Sequence, residues 1–234
     1  HPLVGHLSAR SDIPSVATLN SYHFFRSSLT NTSRDTPERL YELVGYPTTG
    51  RVLRHFMKQI DVFVALSKAI QSIYEENGFG NCRFEYIPKM IDPAFEVPAQ
   101  EDVENDVEGY ELLYVGSLTE NKGVVHLVRA LQRFPSEYRL RLVGEGPREE
   151  TLRSVAAELD VADRVEFSGW VPYEQIGEAY VRADLFVHPG IWPEPLNRTV
   201  FEAMQAGLPV VCTDIGGPPE GIQYDEFLCE PANP

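Results

Sequence analysis

From about Ser15 onward, short runs of β-branched and aromatic residues alternate with amphipathic stretches of helical length, and this alternation is the strongest constraint on the fold. Candidate strands lie at 16–19, 62–65, 84–87, 112–115, 140–143, 165–167, 185–187 and 210–212. Candidate helices fall between them at 49–59, 68–76, 124–134, 149–159, 173–183 and 198–206. Strand signals separated by helical signals predict an α/β fold of the doubly wound, Rossmann-like kind, with parallel sheets.

One stretch breaks the pattern. Residues 92–110 are rich in proline and acid and show no apolar period of 2 or 3.6, so they read as a linker. Three strands precede it and at least five follow, which predicts one lobe over 1–91 and a second over 111–234. The chain opens at His1 without a methionine and stops at Pro234 just after a strand-like segment. Truncation at both ends is therefore expected, with the first lobe lacking its opening strands and the second its final helices.

Charge narrows the partners. With 35 acidic and 20 basic residues the net charge is -15, which argues against nucleic acid. Only Lys58, Lys68, Lys89 and Lys122 are lysines, a balance like that of proteins from a high-salt cytoplasm, with an acidic mesophilic protein as the alternative. Cys82, Cys212 and Cys229 are far apart and lack metal-ligand spacing, so neither a disulfide framework nor a zinc site is indicated. No apolar run reaches the ~18 residues of a membrane span and no signal peptide is visible. A cytoplasmic protein is expected, one that can still visit the inner face of a membrane.

Three glycine turns follow candidate strands. Tyr114 to Gly123 leaves a strand through Gly116 and enters a helix after Gly123, offering backbone amides, a helix dipole and the Lys122 charge to an anion. It is not G-x-G-x-x-G, so a nicotinamide-type fingerprint is absent. Gly144-Glu-Gly-Pro147 and Gly169-Trp-Val-Pro172 are similar turns, whose glycines serve positive-φ geometry. Trp170 and Val171 are candidates to face a flat base or to pack in a core.

The densest chemistry lies in WPEPLNRTVFEAMQAGLPVV, where Glu194 and Glu202 stand eight apart. Asn197 is a good N-cap for the helix that follows, and the amides around 197–200 form a second anion-binding terminus. Arg198 places positive charge where the helix dipole favours an acid, which suggests a negative ligand nearby. Eight helical residues at ~1.5 Å each would separate the glutamates by ~12 Å, beyond the roughly 5 to 9.5 Å of a glycosidase pair. Contacts to two ends of an extended ligand fit better, each carboxylate accepting hydroxyls. Two solvated glutamates are the alternative.

The run from Leu112 to Gly221 resembles the donor domain of family-4 retaining glycosyltransferases of the GT-B fold. It carries, in the family's order, Lys122-Gly123, Gly144-Glu-Gly-Pro147, Gly169-Trp-Val-Pro172, Glu194 with Glu202, and Gly216-Gly-Pro-Pro-Glu220. SVATLNSYHFF, DVFVALSKAIQSIYEENGF and YIPKMID look like the latter part of the family's acceptor domain. The resemblance implies two Rossmann-like lobes, the first incomplete, and transfer of a hexosyl unit from a UDP- or GDP-linked sugar to an acceptor hydroxyl. It implies that Lys122 holds the diphosphate and that amides around Leu196, Asn197, Arg198 and Thr199 face diphosphate and sugar. Glu194 would meet sugar hydroxyls, Glu202 the ribose, and Gly116 would let the backbone approach. Positive groups would stabilise the leaving nucleoside diphosphate, so no metal and no cofactor beyond the donor substrate is expected.

Two positions depart from the pattern. Ser117 stands where the family usually has arginine, with Arg198 as a replacement charge. Asn20 stands where the first lobe often carries a donor-contacting histidine, and His23 lies three residues on. Glu194, Lys122 and Asn20 are thus the candidate catalytic positions. A non-hydrolysing sugar-nucleotide epimerase of the same fold and a nucleotide-sugar-binding module without turnover remain alternatives. The acceptor, whether glycan, lipid or small molecule, is not encoded in these motifs, and no basic amphipathic surface points to a membrane.

Overall fold

The computed structural model describes residues 3–11, 13–22, 25, 41–88, 91–103 and 108–233. They form two compact units, one of 1–89 with 192–196 and the other of 90–191 with 197–234. His23 lies outside the described residues.

The first unit holds α1 (Leu3–Ser11), β1 (Val16–Leu19), α2 (Arg51–Met57), β2 (Val62–Ala65), α3 (Lys68–Tyr74) and β3 (Phe84–Tyr86). The strands pair in parallel in the order β1-β2-β3. The sequence predicts a helix over 49–59, but the described backbone is π-helical over Tyr41–Gly50 and α-helical only over Arg51–Met57. Pro47, which lacks an N–H for the α ladder, lies inside the π-helical stretch. Ser67 caps α3 by accepting from the Ile70 amide. Phe25, Phe63, Tyr74 and Phe79 meet edge to face in the core, as ring quadrupoles prefer.

The second unit contains β4 (Tyr110–Val115), α4 (Val124–Leu131), β5 (Tyr138–Val143), α5 (Glu149–Glu158), β6 (Val165–Gly169) and α6 (Ile176–Arg182). β7 (Leu185–His188), α7 (Arg198–Gln205), β8 (Val210–Thr213) and β9 (Leu228–Cys229) complete it. All pairings are parallel, in the order β6-β5-β4-β7-β8-β9. Renumbered within the unit this is 3-2-1-4-5-6, the doubly wound order, and the strand order reverses between β4 and β7.

β4 is central because it is apolar on both faces. Leu112 and Tyr114 enter the cluster with Leu127, Leu131 and Leu152, whereas Leu113 enters the cluster with Tyr180, Phe186 and Val200. Alternating side chains on a strand point to opposite faces, so a continuous apolar run supports helices on both. Truncating the fully buried Leu113 to alanine would cost about 2–5 kcal/mol.

The strands and helices appear where the periodicity places them, with ends shifted by up to three residues at these elements of the second unit. The stretch 92–110 is more than a spacer. Phe95 is buried between Tyr173 and Tyr180, and the Glu96 carbonyl packs where a Cβ on Gly177 would stand. Phe95 anchors this proline-rich run, helped by Gln100 Nε2, which donates to Val181 O at 3.3 Å, and such isolated anchors have no period to detect. No helix among the described residues is long and apolar enough to cross a membrane.

Candidate functional site

The carboxyl ends of β4, β5 and β6 are laced together by their glycine turns. Gly116 N donates to Val143 O at 2.9 Å, Leu118 N to Glu145 O at 2.9 Å, and Gly144 N to Gly169 O at 2.7 Å. Gly144 is obligatory: its φ is +131° and a Cβ there would lie 2.0 Å from the Gly116 carbonyl oxygen. Side chains are excluded so that backbones can touch, and the result is a hydrogen-bonded rim of loops at the carboxyl ends of the strands.

On the other side of the strand-order reversal, the 116–123 loop meets the loop after β7. Ile191 N donates to Asn121 O at 3.0 Å. Gly123, with φ +68°, sits so close that a Cβ would lie 2.0 Å from Pro189 O. That glycine starts α4 and fixes the preceding turn, Glu120–Lys122, in which Lys122 is half-buried. Ser117 is exposed; the Tyr114 hydroxyl donates to its carbonyl at 2.9 Å, and its own hydroxyl is 3.4 Å from that of Thr119.

α7 begins as its sequence predicts. Asn197 Oδ1 accepts from Thr199 N at 3.0 Å and from Thr199 Oγ1 at 2.7 Å. The Thr199 amide, expected to be open to an anion, is therefore engaged by the cap. The Asn197 side-chain amide in turn contacts the buried ring of His188.

Glu202 is 2% exposed, so it is not a solvated glutamate. Tyr173 Oη donates to Oε1 at 3.0 Å and Tyr180 Oη to Oε2 at 2.9 Å. Arg198, one turn back on α7, places Nε 3.2 Å from Oε1 and its guanidinium 5.1 Å from the Tyr173 ring centre. The Arg198 charge, expected to face a ligand or to replace the charge missing at Ser117, has an internal counter-ion in Glu202 while its side chain stays 45% exposed. Burial and the bond to Glu202 push the Tyr173 hydroxyl up to about 12, and the same causes raise Tyr180. Both phenols therefore stay protonated donors.

Val171 is half-buried against the core that holds Tyr180 and Phe186, while Trp170 is 69% exposed and is not a core aromatic. Gly116, Ser117, Lys122, Val171, Asn197, Arg198, Thr199 and Glu202 thus all belong to the second unit.

Asn20, Glu194 and Leu196 belong to the first unit. Asn20 is exposed just past β1. Glu194 is 4% exposed and accepts from Trp192 Nε1 at 3.1 Å; the neighbouring Pro193 carbonyl accepts from the Tyr22 hydroxyl, and the Trp192 and Tyr22 rings meet edge on at 6.0 Å. The segment 192–196 thus packs with the first unit although it precedes α7. Burial, with Tyr74 and Glu194 nearby, raises the Tyr22 hydroxyl above its ordinary range.

Tyr22 and Trp192 in the first unit, and Tyr173, Tyr180 and His188 in the second, are neighbours of the candidate residues that motif reading misses. Their only sequence signal is indirect: a buried carboxylate or cap needs donors and acceptors, and phenol, indole and imidazole groups supply them.

Comparison with known proteins agrees with this architecture. Residues 98–234 match the family model described as Glycosyl transferases group 1. An uncharacterized glycosyltransferase of Methanocaldococcus jannaschii is 34% identical over 116 residues, covering 49% of this chain and 30% of its own. A GDP-mannose-dependent alpha-(1-6)-phosphatidylinositol monomannoside mannosyltransferase of Mycolicibacterium smegmatis is 29% identical over 191 residues, covering 75% and 50%. The chain thus spans half or less of the length of these relatives. Among solved structures, sucrose-phosphate synthase from Thermosynechococcus elongatus superposes with a TM-score of 0.78 at 21% identity, over 99% of this chain and 59% of that one. Anabaena HepE in complex with UDP and glucose gives 0.78 at 22%, over 98% and 61%. These neighbours share the GT-B fold expected from the motifs. With the family model covering more than half of its residues, and with the glycine turns and the α7 glutamate in the family's order, this chain belongs to the glycosyl transferases group 1 family.

Proposed function

We propose that this chain is the donor-binding part, with a portion of the acceptor side, of a retaining glycosyltransferase. The full protein would move a hexosyl unit from a UDP- or GDP-linked sugar to an acceptor hydroxyl on a glycan, lipid or small molecule. The observation that carries the reading is the buried Glu202 carboxylate on α7, next in the sheet order to the Lys122-Gly123 turn and in the unit's doubly wound frame. Ligands of such sheets bind at the carboxyl ends of the strands, where the order reverses.

The division of labour follows from the chemistry of each group. Lys122 meets the diphosphate as a point charge, and the start of α7 adds its dipole. Glu202 accepts ribose hydroxyls and Glu194 accepts hydroxyls of the transferred sugar, each as charge-assisted hydrogen bonds. The negative charge that grows on the departing diphosphate is met by positive protein groups, Lys122 and the start of α7, so the reading invokes no metal. Support comes from relatives whose names specify GDP-mannose and from a neighbour solved with UDP-glucose.

The test is acceptor-dependent release of UDP or GDP by the full-length protein supplied with UDP- and GDP-sugars. Release on adding acceptor is the expected result. Binding without release would make the chain a nucleotide-sugar module, and inversion at a sugar carbon of the donor would make it an epimerase.

A further inference from the structure

A carboxylate offers about four acceptor positions. Glu202 has three occupied: Tyr173 Oη and Arg198 Nε share Oε1, and Tyr180 Oη sits on Oε2. Oε1 is therefore filled, and one position on Oε2 is left without a donor among the described residues. A ligand that presents two neighbouring hydroxyls to this group needs two positions, so one of the present donors must yield.

Arg198, though 45% exposed, carries the charge that compensates the buried carboxylate, so its departure would be the costliest. The two neutral phenols differ in how readily they can yield. Tyr180 is 1% exposed, lies within α6 and packs edge on against Phe95, with ring centres 5.7 Å apart. Moving it would open the core. Tyr173 is half-buried and lies in the short turn Tyr173–Gln175 that precedes α6. Its ring also meets that of Phe95, with centres 6.1 Å apart, and faces the Arg198 guanidinium, but it sits outside α6. A rotation of the side chain therefore takes the hydroxyl off Oε1 at the cost of those ring contacts alone while α6 stays in place.

We propose that Tyr173 is the exchangeable donor of the Glu202 carboxylate and sets its discrimination between ribose and deoxyribose, with Tyr180 as the positioning residue that holds the carboxylate still. This rests on the reading of Glu202 as the ribose carboxylate. When a ribose arrives, one of its hydroxyls takes the place of the Tyr173 hydroxyl on Oε1. When the sugar lacks that hydroxyl, Tyr173 keeps its place and the carboxylate stays satisfied. A site built to receive a hydroxyl normally rejects an analogue without it, because its own polar group is left unpaired. Tyr173 removes that penalty, so the protein is tolerant of deoxyribose.

The experiment is calorimetric titration of the full-length protein with UDP and GDP and with the 2′-deoxy and 3′-deoxy forms of whichever binds. The variants are Tyr173→Phe, Tyr180→Phe and Glu202→Gln, each checked by its thermal midpoint. In Tyr173→Phe the ribose form should bind several-fold tighter, since nothing has to be displaced. The ratio of deoxy to ribose dissociation constants should rise by on the order of tenfold, the cost of one unpaired buried acceptor. Tyr180→Phe should weaken both forms alike and leave the ratio unchanged. Tyr173→Leu also lacks the hydroxyl and should move the ratio in the same direction, which covers the case of a poorly folded phenylalanine variant. Lost affinity in Glu202→Gln with an unmoved ratio in both Tyr173 variants overturns this proposal alone. Unchanged affinity in Glu202→Gln removes the ribose assignment and this proposal with it.

Discussion

His188 and Asn197 are joined by a hydrogen bond whose direction the rest of the helix cap dictates. Asn197 Oδ1 receives the Thr199 amide, so the Asn197 Nδ2 donates, and the His188 Nδ1, 3.0 Å away, accepts. Both side chains are buried, which ties the end of β7 to the first turn of α7. Replacing Asn197 by alanine should destabilise the second unit by about 1 kcal/mol for the lost cap. His188→Phe leaves a buried amide donor short of an acceptor and should cost about 1–3 kcal/mol. Urea denaturation of both single variants and the double variant would show the coupling; strict additivity would mean that the two residues act separately.

Gly123→Ala forces a side chain into a left-handed backbone and onto the Pro189 carbonyl. The φ strain alone is worth about 1–2 kcal/mol, and the contact adds to it. A drop of at least about 2 kcal/mol in unfolding free energy is expected, with weaker nucleotide binding because the Lys122 turn shifts. An alanine variant with wild-type stability would show that the two loops are free to separate.

Lys122→Ala should reduce donor affinity by roughly ten- to a hundredfold, the range of one charge-assisted hydrogen bond of ~1.5 to 3 kcal/mol. The loss should be smaller at high salt, where the wild-type contact is screened. Unchanged affinity in a titration with UDP- and GDP-sugars would remove Lys122 from the phosphate site.

A pH dependence follows from Glu111, buried at the start of β4 and 3.0 Å from Arg141. Burial holds its carboxyl above the ordinary 4.5, against the pull of Arg141. The folded state then keeps this proton after the unfolded chain has lost it. Stability from Glu111 is greatest below 4.5, falls as pH rises toward the raised value, and is constant above it. The stability lead of wild type over Glu111→Gln should therefore be larger near pH 4 than at pH 7, measured by denaturation midpoints. The opposite trend would mean that attraction to Arg141 outweighs burial.

Much of this architecture is written in local sequence. Apolar periodicity marks β4, β5 and β7 and the helices between them, Asn197 announces the start of α7, and Gly123 and Gly144 mark turns that only glycine can make. These features are legible because a strand, a cap or a positive-φ turn is selected by residues within a few positions of one another. The Leu3–Ser11 helix escaped that reading and β9 showed only as a strand-like segment near Pro234, as short elements offer too few repeats of a period.

The partners of the site residues were decided by tertiary structure. Tyr173 and Tyr180 reach Glu202 from 29 and 22 residues upstream, and Trp192 and Glu194 pack with the first unit while Asn197 and Glu202 belong to the second. The sequence could identify two glutamates in a family pattern and the chemistry they suit. It could not say that one of them already holds three protein donors, because a buried carboxylate takes whichever donors the packing of separate elements brings within about 3 Å, and that choice leaves no period in the chain.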